Sequence, residues 1–122
     1  MKNNKIFIIE DNISIQELFE IMLAPYGQII QAFTLAEAEA KFAGEKNITH
    51  ILVDANLNQR RPDGKPETTD LVIKMRETFT GPMIAISSDE AHNKFLKTQG
   101  CSHAVYKSDS LKFVINLLEQ ES

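Results

Sequence analysis

Tryptophan is absent and cysteine occurs once, at Cys101. A lone cysteine cannot close an intrachain bridge, so a disulfide-stapled secreted fold is excluded and a reducing cytoplasm is the expected location. With four prolines and five glycines, the chain is neither collagen-like nor a Pro/Gly-rich disordered segment. No apolar run approaches the ~18 residues of a membrane span. The basic start, Met1-Lys2-Asn3-Asn4-Lys5, is followed only by Ile6-Phe7-Ile8-Ile9 before Glu10 and Asp11. That is too short for the apolar core of a secretory signal. Positive charge is also short: 13 Lys and Arg against 17 Asp and Glu give a net charge of −4. Nucleic-acid binding draws on a basic patch, so this balance argues against it.

What is present suits a soluble domain: 43% hydrophobic and 25% charged residues in a chain of 122. That length predicts one domain, residues 1–122, burying about two-thirds of its unfolded surface. Short apolar runs alternate with helical stripes. Ile6-Phe7-Ile8-Ile9 is followed by Ile15, Leu18, Phe19, Met22 and Leu23 at helical spacing, stopped by Pro25-Tyr26-Gly27. Ile29 and Ile30 mark a weaker strand. Thr34 and Glu37 have capping-box spacing ahead of a stripe of Leu35, Ala38 and Phe42 closed by Gly44. Ile51-Leu52-Val53 ends at Asp54, and a polar stretch runs from Asn56 to Thr69. The stripe Leu71, Val72, Met75 and Phe79 stops at Gly81-Pro82. Met83-Ile84-Ala85-Ile86 precedes a helix over 89–99 with Phe95 and Leu96 inward. His103-Ala104-Val105-Tyr106 precedes a helix over 111–119, with Leu111, Val114, Ile115 and Leu118 inward.

Five β-α units whose strands are continuous apolar runs imply a parallel sheet covered on both faces. The fold class expected is α/β: a doubly wound, flavodoxin-like five-stranded parallel sheet of order 2-1-3-4-5, with five helices on two faces. The chain ends about where the fifth helix ends, which predicts a stand-alone domain.

Ligands of such sheets sit beyond the carboxyl ends of the strands. Polar residues fall at four of those ends: Glu10 and Asp11, Asp54, Ser87 and Ser88, and Lys107. Three carboxylates in one crevice are offset by one lysine. Two like charges about 4 Å apart repel by about 4 kcal/mol at an effective dielectric of 20. Either a pKa rises or a divalent cation binds. Hard oxygen ligands favour Mg²⁺ or a similar ion such as Mn²⁺. A free carboxylate beside a metal, a lysine and a hydroxyl suits phosphoryl transfer.

Ile8-Ile9-Glu10-Asp11-Asn12, Ile51-Leu52-Val53-Asp54, Ile86-Ser87-Ser88 and Tyr106-Lys107, in this order and spacing, resemble the receiver domains of two-component response regulators over essentially the whole chain. The resemblance implies that Asp54 is the phosphoacceptor, charged by a histidine kinase or phosphotransfer protein. Asp11 would bind the metal directly, Glu10 through water, and Asn56 through its main-chain carbonyl. Ser87 would move toward the phosphoryl group and Lys107 would pair with it. A downstream protein target is implied, and a homodimer through the fourth and fifth helices is left open. Asn56 and Asp89, two residues past Asp54 and Ser87, would flank the path of attacking water.

Three departures stand out. Lys107 is followed by Ser108 where the family carries proline, so a trans or rebuilt loop is expected. Ala104 occupies the position of the family's switch aromatic. Alternation would put Tyr106 on the same face, where it either substitutes or simply packs. The basic loop 57–67, with Pro62-Asp63-Gly64 turn chemistry, is longer than the family's and is a lid, a docking surface or a mobile segment.

Simpler roles compete for several residues. Glu10 and Asp11 suit the N-terminus of the first helix. Ser87 suits the cap of the fourth, although Ser88 or Asp89 serves equally well. His50, His92 and His103 lack metal-ligand spacing and are expected to be structural or exposed, and Cys101 to be a packing residue. Two other functions compete. An aspartyl-phosphate phosphohydrolase would want a second aspartate where Asn56 stands, and a cap domain. A pseudo-receiver, binding partners without phosphate, is favoured by Ala104, Ser108 and the long loop.

Overall fold

The computed structural model describes residues 3–121; Met1 and Lys2, the start of the basic N-terminus, and Ser122 lie outside them. Strands β1 (Asn4–Ile9), β2 (Gly27–Ala32), β3 (His50–Val53), β4 (Met83–Ala85) and β5 (His103–Ala104) alternate with helices α1 (Ile13–Leu23), α2 (Leu35–Gly44), α3 (Thr69–Arg76), α4 (Glu90–Gln99) and α5 (Lys107–Glu121). A turn of 3₁₀ helix, Ala24–Tyr26, follows α1. All pairings are parallel and the sheet order is β2-β1-β3-β4-β5, as expected. Among the described residues no helix is long and apolar enough to cross a membrane.

The three central strands are buried on both faces, which is why they read as unbroken apolar runs. Phe7, Ile9, Ile51, Val53 and Met83 point to one face, where Ala38 of α2, Leu71, Val72 and Met75 of α3, and Leu96 of α4 cover them. Ile6, Ile8, Leu52 and Ile84 point to the other, under Phe19 and Leu23 of α1 and Val114 and Leu118 of α5. The two-residue alternation of side chains thus builds two cores from one sheet.

Short polar side chains start three helices. Asn12, Thr34 and Asp89 accept from the main-chain N–H three residues on. Glu37 reaches back past the cap and accepts from the N–H of Phe33, the residue before Thr34, rather than from Thr34 itself. Gly100 ends α4 at φ 147°, where a side chain would be strained.

Four details differ from expectation. Leu18 and Met22 of α1 are 52% and 43% exposed. The stripe facing the sheet is narrower, formed by Gln16, Phe19 and Leu23. β2 extends over six residues because its main chain pairs with β1 throughout. α5 begins at Lys107 rather than Leu111. Its polar first turn carries no apolar period, but Asp109 suits a positive helix end. β5 stops at Ala104, so the alternation argument for Tyr106 fails, and that ring is 51% exposed rather than packed.

Candidate functional site

The carboxyl edge of the sheet gathers the candidate residues. Asp54 follows β3, and its N–H bonds Ile9 O at 3.0 Å, which sets it beside the end of β1, where Glu10 and Asp11 begin the next turn. Oxygens of Glu10, Asp11 and Asp54 all lie within 4.8 Å of one another. Asp54 and Glu10 are buried, and Asp11 is exposed. Lys107, the first residue of α5, reaches across. Its Nζ lies 2.7 Å from Asp54 Oδ2 and 2.9 Å from Glu10 Oε1. The other oxygen of Glu10 accepts from the N–H of Asn12 at 3.1 Å, so this residue serves the helix start as well.

Charge is unbalanced there, with three carboxylates against one ammonium. Burial, reinforced by the charge of Asp54, pushes the Glu10 carboxyl up to about 7 despite the opposing bonds from Lys107 and Asn12. Burial alone would push the Lys107 ammonium down, but its bonds to Asp54 and Glu10 outweigh this and hold it above its ordinary value.

Ser87 stands one strand over. Ile86 N–H bonds Val53 O at 3.0 Å, which brings the end of β4 level with the end of β3. The Ser87 hydroxyl accepts from the N–H of Asp89 at 3.0 Å, which leaves its own O–H to donate. Asp89 is the cap of α4, one of the simpler roles open to this turn. The buried Asn93 holds Ser87 from both sides, accepting from its N–H and donating to its carbonyl at 2.8 Å, and also donating to Val105 O. Asn56 is two residues past Asp54. Its side chain accepts from Glu67 N–H and meets His92.

Several residues that position the site carry little signal in the sequence. Gln16 Nε2 lies within hydrogen-bond distance of the carbonyls of Ile8, Glu10 and Ala32, pinning the turn that holds Glu10. The Thr68 hydroxyl does the same for the main chain after Asp54, at the carbonyls of Asp54 and Ala55. Glu67, largely buried, accepts three consecutive N–H groups, from Leu57, Asn58 and Gln59, on one oxygen. The only hint of its role is an acid immediately before a Thr-Thr helix start. Loop 57–67 is thus folded on itself. Arg61 forks onto Asp63 and reaches Asp70, and Asp63 accepts from Lys65 N–H in the expected turn. His50 is buried against Glu121 of α5 and Thr49, and His103 tilts against Phe113; both are structural.

No family model matches the sequence, and no curated protein matches it. Solved structures do. A CheY-like receiver domain protein from Methanospirillum hungatei aligns over 98% of this chain and 96% of its own at a TM-score of 0.74 and 21% identity. The N-terminal receiver domain of Klebsiella pneumoniae RstA, activated with BeF3, aligns over 96% and 97% at 0.77 and 21%. This chain has the receiver-domain fold. A third receiver-type structure, a response regulator from Burkholderia pseudomallei with a phosphorylated aspartic acid, a calcium ion and citrate, aligns over 95% of this chain and 66% of its own at 0.78 and 18%. The Lys107–Ser108 bond is trans, since no cis peptide occurs among the described residues.

Proposed function

We propose that this chain is a response-regulator receiver that accepts a phosphoryl group on Asp54 from a sensor histidine kinase or phosphotransfer protein. It acts in the cytoplasm and signals to a downstream protein by a change of shape. The observation that carries this reading is the convergence of Glu10, Asp11, Asp54 and Lys107 on one point, with the lysine bonded to the acceptor carboxylate itself. An oxygen of Asp54 attacks phosphorus, a P–O bond forms, and the donor's bond to phosphorus breaks with its electron pair leaving on the donor. Lys107, already within reach, offsets charge on the incoming group, and the Ser87 O–H at the neighbouring strand end donates to it. Asn56 and Asp89 flank the approach of water and set how long the phosphoryl group lasts.

Mg²⁺, or Mn²⁺, suits the three carboxylates. They are hard oxygen donors within one ion's reach, and a single ammonium, Lys107, faces them. Glu10, Asp11, Asp54 and the main chain at Asn56 are the residues that would hold it. Bound there, the ion supplies charge neutralisation for phosphoryl oxygens. The Burkholderia structure, which carries a phosphorylated aspartic acid and a calcium ion, supports this reading by likeness of fold. No separate substrate is turned over in this reading.

The second reading is a pseudo-receiver, favoured by the alanine at 104 and the exposed Tyr106. Incubation with Mg²⁺ and acetyl phosphate, read by intact mass, separates the two. A receiver gains one phosphoryl group that decays slowly and is not gained by Asp54→Asn. A pseudo-receiver gains none, and a hydrolase turns over generic phosphomonoesters.

A further inference from the structure

Loop 57–67 builds a feature that the Asp54 site does not use. Together with α2 and α3 it encloses a groove of about 490 Å³. Leu35 and Glu39 of α2 and Leu71 and Lys74 of α3 line it, and Arg60 and Pro62 of the loop complete the lining. Glu10, Asp11, Asp54, Ser87 and Lys107 are not among its lining residues. The groove is formed in advance because the loop is tied down. Glu67 accepts from the N–H groups of Leu57, Asn58 and Gln59, while Arg61 bonds Asp63 and, at 3.2 Å, Asp70 of α3.

Its charges do not balance. Arg61 and Asp70 face each other, and Glu67 is taken up by its three N–H groups. That leaves Arg60 and Lys74 against Glu39, and none of these three side chains makes a hydrogen bond or ion pair among the described residues. Arg60 also borders a second hollow of about 300 Å³, where Lys65 adds a cation and the one carboxylate, Asp89, is engaged in capping α4. The chain as a whole carries a net charge of −4. An acidic partner is therefore repelled by most of the surface and drawn to this part of it. We infer that the groove docks an acidic peptide segment of a protein partner. Carboxylates of the segment meet Arg60 and Lys74, and an apolar side chain rests against Leu35, Leu71 and Pro62. The guanidinium of Arg60 suits this task, since it can donate two parallel bonds to one carboxylate. This surface is separate from the phosphoacceptor and works without phosphorylation.

The test titrates the full chain into fluorescein-labelled peptides whose central leucine or phenylalanine is flanked by aspartate and glutamate, by serine, or by lysine, followed by anisotropy. The acidic series should bind about tenfold more tightly than the serine series and weaken as salt rises. Amide shifts on binding should cluster at Leu35, Glu39, Arg60, Leu71 and Lys74. Arg60→Glu and Lys74→Glu should each weaken binding about fivefold, and Glu39→Gln should strengthen it about twofold. All three side chains are exposed, and unchanged thermal unfolding of the variants separates lost docking from lost fold. Absent or equal binding of the acidic and serine series overturns the inference. So do shifts confined to the exposed face of α1, or full affinity in Arg60→Glu and Lys74→Glu. Tighter binding of an oligothymidylate than of any acidic peptide, through the same residues, overturns it in favour of a nucleic acid. Asp54→Asn without Mg²⁺ should bind the acidic peptides as the parent does. A chain that takes no phosphoryl group thus leaves this inference standing, and a failed titration leaves the receiver reading standing.

Discussion

Replacing Glu10 by glutamine removes a charge that the fold holds at a cost. Its carboxyl sits at about 7 against an ordinary 4.5, and each tenfold change in proton affinity corresponds to about 1.4 kcal/mol. Ionising Glu10 in the native state therefore lowers stability by up to about 3 kcal/mol. The folded protein binds this proton more tightly than the unfolded chain does. The contribution is accordingly full below pH 4.5, declines as pH rises, and is lost once pH passes about 7. Urea unfolding with EDTA present, at pH 5 and pH 8, measures it. The parent should lose stability across that interval, and Glu10→Gln should lose about 3 kcal/mol less. Every other ionisable side chain is common to both proteins, so the difference between the curves isolates Glu10. Parallel curves for the two proteins would refute the account of an under-compensated carboxylate cluster.

Mg²⁺ binding only to the folded state should raise stability at pH 8 by about 2.7 kcal/mol at a hundredfold excess over its Kd. Asp11→Asn, at an exposed position, should lose most of that gain, and an equal gain in the variant would exclude Asp11 as a ligand. Glu67→Gln weakens three charge-assisted bonds and should cost about 1.5–3 kcal/mol. Faster amide exchange at Leu57, Asn58 and Gln59 should accompany it, and unaltered exchange there would contradict the pinning role. Gly27→Ala brings a Cβ to 2.4 Å from Asn4 O, so β2 must shift away from β1. Denaturation should show a loss of about 1–3 kcal/mol, and a neutral result would mean that the edge strand yields freely.

The sheet was legible because its central strands are buried on both faces. Ile6–Ile9, Ile51–Val53 and Met83–Ile86 show this in composition alone, and topology rules then leave little choice of order. That Asp54 and Lys107 would meet was legible because both follow strands whose carboxyl ends such a sheet brings to one edge. The supporting residues were not. Gln16 occupies a core position on α1 that apolar periodicity assigns to hydrophobic residues, and its amide is accepted there only because three carbonyls meet it. His92 and Glu67 act through partners 36 and 10 residues away in the chain, separations at which no local pattern operates. The start of α5 was missed because 107–110 is stabilised by polar bonds, among them Ser110 Oγ to Lys107 O, rather than by an apolar stripe.

The fifteen-residue rod of α5, about 22 Å long, is moored at both poles of β3. Lys107 holds Asp54 just past the end of that strand, while Glu121 holds His50 at its beginning. Between them Val114 and Leu118 are sunk into the core. The ammonium can therefore exchange one anion for another at its own tip without casting the helix adrift, because the far mooring and the middle of the rod bear the load.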